Sequence, residues 1–298
     1  MIRTHAIVSP SVKVLGNYLE LFKIHLCLYI SLSAVFGSVM ADPKISWDSM
    51  ISGGLVLLLA CGSAILNNIQ DRKFDTYFLR TQNRCLPQKT VPIQHAVLMS
   101  FSLMIVGLSG LFIQFGTPSA ALGLAAVISY NGLYTHLKKK SLAAILPGSI
   151  SGMMPPFIGW VSTGSSADDT TLWVILIIFC LWQTPHFFMV LLKSNRTVDG
   201  EHKPFPCFTQ VFSEKEMKLQ ILIWVSLYSL SMILFILPGN IYHAGLSWGV
   251  FINAIIISGI TLLLFFNSRP KYLSFCFAAI NLSILFFMGT GIFDKFIF

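Results

Sequence analysis

Apolar runs of membrane-spanning length recur along almost the whole of this chain, and they restrict its fold more tightly than any motif does. A helix needs about 20 predominantly apolar residues to cross a bilayer. Nine stretches approach that length, over roughly 21–41, 49–66, 96–115, 119–137, 143–162, 172–192, 219–237, 247–266 and 273–292. Only 11% of the residues are charged and 55% are hydrophobic, whereas soluble domains carry about 25% charged residues. The expectation is an all-α integral membrane protein, a bundle of about nine transmembrane helices, with residues 1–298 as a single domain. The segment before Lys23 is mixed and polar with no cleavage-like site, so no signal peptide is expected.

Basic residues orient such a bundle, because cytoplasmic connections carry the excess of Lys and Arg. With the amino terminus inside, 18 of the 20 bases fall on the cytoplasmic side, and only Lys44 and Lys295 lie elsewhere. The opposite connections are short and neutral or acidic, as in Ser165-Ser166-Ala167-Asp168-Asp169. This predicts a cytoplasmic amino terminus and an external carboxyl terminus. Topology then accounts for the net charge of +8, and no nucleic-acid partner is required. Six scattered cysteines without a Cys-x-x-Cys pair indicate neither a disulfide framework nor a cysteine zinc site.

Polar chemistry concentrates in a few places. Asn67, Asp71 and Asp75 stand four residues apart, just past the second apolar run. If that helix continues, the three side chains line one face, rising ~6 Å per step. Two carboxylates and an amide at a membrane edge are costly without counter-charge. Magnesium binds through one or two carboxylates together with substrate phosphates. The stripe therefore suits a metal-bound diphosphate, with Arg80 and Arg84 free for its remaining oxygens. A salt-bridged, solvated helix end is the competing reading. Pro87 and Pro92 leave 75–89 as a loop long enough to fold over a site. The fourth run ends in Tyr130, Tyr134, Lys138, Lys139 and Lys140 at the level of Asp71, which reads as an aromatic belt with a charge cluster or as bases for a diphosphate. In the fifth run, Gly148 and Gly152 permit close helix approach, and Pro155-Pro156 implies a kink beside a cavity. The sixth carries Trp182-Gln183-Thr184-Pro185-His186, polar cargo inside a span that usually marks function. The last three runs are uniformly apolar, apart from Asp294-Lys295 at the end.

The Asn-x-x-x-Asp-x-x-x-Asp stripe resembles the UbiA-type intramembrane prenyltransferases. Arg80-Thr81-Gln82-Asn83-Arg84-Cys85-Leu86, the stretch from Tyr134 to Trp160, and Trp182-Gln183-Thr184-Pro185-His186-Phe187 narrow the resemblance to the protoheme IX farnesyltransferases, or heme O synthases. It runs over essentially the whole chain. It implies transfer of a farnesyl group from farnesyl diphosphate to a vinyl group of heme b, giving heme O and diphosphate. By that resemblance Asn67, Asp71 and Asp75 hold Mg2+ and are catalytic, as is His186, which either orients or ligates the porphyrin or manages a proton. Arg80, Arg84, Lys138, Lys139, Tyr134, Trp182 and Gln183 become substrate-binding residues, and Tyr130 and Phe187 join Tyr134 and Trp182 as candidates to shield an allylic cation.

The implied setting is a bacterial inner membrane with the active site facing the cytoplasm and the farnesyl tail among lipid. Heme A synthase or terminal oxidase assembly is the implied downstream partner. The sequence departs from the pattern twice. Ile24 replaces the proline after Lys23, which itself reads most simply as a snorkelling helix-end base. Thr197 occupies the slot of a second acidic motif, with Asp199 and Glu201 just beyond. Either of those acids substitutes, or a second metal is held differently, or activity is altered. A prenyltransferase for a quinone precursor, and a degenerate heme-binding relative, are the alternatives. A transporter fits less well, because the polar groups gather at cytoplasmic ends.

Overall fold

The structure is a computed structural model and describes residues 16, 18–78, 81–195, 212–267 and 269–297. The described residues contain helices and no strand. After a short helical turn over 18–22 come α1 (Ile24–Ala41), α2 (Trp47–Asp75) and α3 (Ile93–Val127). α3 runs on through a π-helical segment, Ile128–Tyr134, and Thr135–Leu137. Then follow α4 (Ile145–Val161), α5 (Thr170–Asn195), α6 (Glu214–Ile236), α7 (Ala244–Phe266) and α8 (Pro270–Ile297). Eight elements among the described residues are long and apolar enough to span a membrane, and the chain is an integral membrane protein.

The expected count of nine and the observed eight differ at one residue. Ile93–Leu137 is continuous by hydrogen bonding over 45 residues, yet Gly116 breaks it with φ 80° and ψ −172°. Only glycine adopts that conformation cheaply, and Pro118 follows at once. The two legs fold back on each other. A Cβ on Gly123 would lie 3.1 Å from a Leu108 methyl, although 15 residues of straight helix would separate them by roughly 22 Å. The break between the expected runs 96–115 and 119–137 is therefore this bend, and the described residues cross in nine legs.

Close approach is also set by glycine, though not at the pair singled out from sequence. A Cβ on Gly159 of α4 would stand 1.8 Å from the Ala34 carbonyl oxygen of α1, and one on Gly37 of α1 would stand 2.0 Å from the Pro156 carbonyl oxygen. These two glycines seat α1 and α4 backbone against backbone. Gly148 and Gly152 instead make room for side chains, those of Tyr134 and Gln183. The described residues form several apolar clusters, two of which together span most of the helices. One joins Ala34, Val56, Leu59, Met104 and Ile158 in the amino-terminal half. The larger joins α5–α8 through residues such as Ile175, Met217, Tyr228 and Phe287. A polar tie runs through the latter, Tyr228 Oη lying 3.1 Å from Ser283 Oγ, which accepts from Asn253 Nδ2 at 3.0 Å.

Candidate active site

α2 persists two turns past its apolar stretch, to Asp75, so Asn67, Asp71 and Asp75 do share one helical face. Bases close over it from three directions. Asn67 donates from Nδ2 to Asp71 Oδ2 (3.0 Å) and to Thr135 Oγ1 (3.1 Å), and its Oδ1 accepts from Lys23 Nζ at 3.1 Å. Lys138 Nζ lies 2.5 Å from Asp71 Oδ2. Lys139 Nζ lies 2.7 Å from Asp71 Oδ1, so an ammonium faces each carboxylate oxygen. Arg84 Nη1 donates to Asp75 Oδ2 at 3.0 Å. The loop beyond α2 is anchored as well: Thr81 Oγ1 donates to the Asp75 carbonyl at 2.9 Å, and Cys85, Leu86 and Val91 pack with Leu21, Ile65 and Ile69. Arg80 lies outside the described residues, as do Thr197, Asp199 and Glu201.

Two features of this cluster were not read from the sequence. Lys23 takes a left-handed backbone conformation, φ 49° and ψ 45°, which breaks the chain ahead of α1, and its ammonium reaches Asn67; it is a member of the cluster and not a plain snorkelling base. The π-helical segment Ile128–Tyr134 is the second, and widened turns of this kind often occur at functional sites. It presents Asn131, whose side chain accepts from Ser63 Oγ (2.8 Å) and donates to the Ser63 carbonyl (3.0 Å), tying the segment to α2. It also sets Tyr130 and Tyr134 in a stack, ring centroids 5.6 Å apart, with Lys138 Nζ 5.4 Å from the Tyr134 ring. Burial pulls the Lys138 ammonium below the ordinary lysine range, and the Asp71 carboxylate works against that pull.

Below the cluster lies a cavity of about 750 Å³, within the ~300–1,000 Å³ of small-molecule sites. Lys138, Tyr130 and Tyr134 line one end, and Trp182, Gln183, His186 and Phe187 of α5 face Phe277 and Asn281 of α8. Gly148, Gly152 and Pro155 of α4 line it too, which agrees with the expected cavity beside Pro155-Pro156. α6 and α7 supply none of the lining and brace α5 and α8 from behind. Trp182 Nε1 donates to the Ile280 carbonyl at 3.1 Å. His186 Nδ1 lies 3.1 Å from Asn281 Oδ1. The last helix therefore does contribute to the site. Asn281, a lone amide in an apolar span, was the sequence signal for it.

The residues singled out from sequence thus fall into two groups: the α2 stripe with Arg84, Lys138, Lys139 and Tyr134, which reaches the cavity through Lys138 and Tyr134, and the α5 group Trp182, Gln183 and His186, which lines it. Among the described residues no three His, Cys, Asp or Glu side chains converge as a metal cage. The donor set nonetheless suits magnesium, which needs only one or two carboxylates when phosphates supply the rest. Both Asp71 oxygens face exchangeable ammonium groups, Lys138 at Oδ2 and Lys139 at Oδ1, which a metal-bound diphosphate could displace. Asp294 is a different case. It lies inside α8, fully buried, and accepts from the Tyr242 and His243 backbone N–H groups at 2.8 Å each, so it caps α7.

A polar, cation-rich mouth over an apolar intramembrane cavity is the arrangement of an enzyme that holds an anionic head and buries a hydrocarbon tail. The model of the UbiA prenyltransferase family matches residues 30–288. The protoheme IX farnesyltransferase of Hahella chejuensis is 35% identical over 241 residues, covering 78% of this chain and 80% of that one. That of Aquifex aeolicus is 30% identical over 295 residues, covering 96% and 98%. The chain belongs to the UbiA prenyltransferase family, and within it to the protoheme IX farnesyltransferases. Solved structures share the fold at low identity. A UbiA homologue from Archaeoglobus fulgidus bound to GPP and Mg2+ superposes with TM-score 0.64 at 13% identity, covering 94% of this chain and 99% of that one. An apo UbiA homologue from Aeropyrum pernix gives 0.71 at 14%, covering 91% and 98%.

Proposed function

We propose that this protein transfers the farnesyl group of farnesyl diphosphate to a vinyl group of heme b, giving heme O and diphosphate, and that residues 1–298 act as one catalytic unit. The observation that carries the reading is that Lys138, paired with Asp71, lines the same 750 Å³ cavity as Trp182, Gln183 and His186, which sets the acid–base cluster at the mouth of the α5 wall. Asp71 and Asp75, with Asn67, would hold Mg2+, which when bound neutralises diphosphate charge. Lys138, Lys139 and Arg84 are side-chain cations able to turn from the carboxylates to phosphate oxygens. There they stabilise charge that develops as the farnesyl carbon–oxygen bond breaks and its electron pair leaves with diphosphate. The stacked Tyr130 and Tyr134 rings lie next to that bond and shield the allylic cation from water. The vinyl π-electrons form the new carbon–carbon bond; water then supplies the hydroxyl oxygen at the porphyrin-stabilised cation and releases a proton.

The acceptor lies against Trp182, Gln183 and His186, and the tail follows the apolar lining toward lipid. The polar mouth belongs on the cytoplasmic side, with the amino terminus inside a bacterial inner membrane, by the distribution of bases. Heme A synthase or the terminal oxidase then receives the product. Membranes expressing the protein, supplied with farnesyl diphosphate, heme b and Mg2+, test the assignment by chromatography with mass detection. Heme O should form, chelation of Mg2+ should stop it, and Asp71→Ala should lower the rate at least ~100-fold. Prenylation of an added hydroxybenzoate with heme b untouched would move the protein to a quinone-precursor transferase.

A further inference from the structure

The amide of Asn281 has only one orientation compatible with its neighbours. One of its terminal atoms lies 2.5 Å from the Phe277 carbonyl oxygen. A carbonyl can only accept, so that atom is Nδ2. Oδ1 is thereby turned to His186, 3.1 Å from Nδ1, and an amide oxygen can only accept. The proton therefore sits on Nδ1 of His186, and in the neutral ring Nε2 is left as a lone pair. Trp182 and Phe277 flank the imidazole at 5.1 and 4.9 Å between centroids, tilted at 43° and 42°, which fixes its plane. Among the described residues no side chain or carbonyl bonds Nε2, and the ring lines the cavity.

We propose that Asn281 is a positioning residue that sets the His186 tautomer, so that Nε2 serves as an axial nitrogen donor to the iron of the porphyrin acceptor. An oriented imidazole whose second nitrogen is hydrogen-bonded is how metal-ligating histidines are generally held. A partly apolar wall gives little else to orient a flat macrocycle, and one coordinate bond would fix its distance from the farnesyl carbon. This rests on heme b being the acceptor.

The test uses the purified full-length protein in lipid nanodiscs, titrated with heme b and, separately, with metal-free protoporphyrin IX. Absorption and electron paramagnetic resonance spectra report the iron's axial ligand. The parent should prefer heme b and show a nitrogen-ligated iron. His186→Ala should lose that signature and regain it with added imidazole. Asn281→Leu should weaken heme b binding ~10-fold or more and leave the metal-free porphyrin unaffected. Asn281→Asp, whose carboxylate accepts the same hydrogen bond more strongly, should retain ligation and lower the reduction potential of bound heme; this variant decides the matter if Asn281→Leu does not fold.

Equal binding of the two porphyrins by the parent, a parent-like iron spectrum in Asn281→Leu, or an unshifted potential in Asn281→Asp overturns the proposal. A parent that ligates heme b through His186 but forms no farnesylated heme would break the transferase reading and leave this one standing. Heme O formation with no nitrogen ligand on the iron would do the reverse.

Discussion

Two acidic positions, Asp71 on α2 and Asp294 on α8, are both buried, at 8% and 0% exposure, and differ in what satisfies them. Asp294 is held by two backbone N–H groups of the α7 amino terminus, with Lys295 Nζ at 3.4 Å. Those amides cannot leave without unfolding the helix start. Asp71 is held by the ammonium groups of Lys138 and Lys139, and long flexible side chains can exchange a carboxylate for a phosphate at little cost in structure. Burial and charge alone do not distinguish a lock from a site. The mobility of the counter-charge does.

Breaking the mobile end should cost activity. Lys138→Ala removes a cation from both Asp71 and the cavity mouth, and heme O formation should fall ~100-fold or more, with the purified protein still folded by circular dichroism. Breaking the fixed end should cost stability. Asp294→Ala removes two hydrogen bonds to the backbone at the start of α7, each made by a carboxylate and worth about 1–3 kcal/mol, so thermal unfolding in detergent should shift down clearly, while the turnover of the folded fraction stays near that of the parent. An activity loss in Asp294→Ala as large as that in Lys138→Ala, at equal folded protein, would collapse the distinction. Gly159→Ala sharpens it from the packing side. Its new Cβ would meet the Ala34 carbonyl, so a loss of about 1–3 kcal/mol is expected in the same melt. Lys23→Ala should be mildest, removing one hydrogen bond to Asn67 worth about 1 kcal/mol. It should appear as a several-fold rise in KM for farnesyl diphosphate with a melt lowered no more than that single bond accounts for.

The parts of the site legible in advance were those carried by spacing along one helix. Asn67, Asp71 and Asp75 share a face because a helix repeats every 3.6 residues, and Trp182, Gln183 and His186 announced themselves as polar groups in an apolar span. Three contributors escaped for definite reasons. Asn281 meets His186 across 95 positions of sequence, and no local pattern records such a pairing. The π-helical segment depends on one changed hydrogen-bond register, to which composition is blind. Lys23 looked like a helix-end base because its left-handed backbone, which aims the side chain, leaves no trace in residue type.

By itself, then, the sequence determined that the chain crosses the membrane as helices, which stretches form the legs, and which helix carries the acidic stripe. Each follows from local rules of hydrophobic length and helical period. Only the tertiary structure decided that Gly37 and Gly159 set the distance between α1 and α4, and that Gly148 and Gly152 serve side chains. It alone separated the exchangeable ion pairs of Asp71 from the fixed cap made by Asp294. The reason is physical: the sequence lists donors and acceptors, and packing chooses which of them meet.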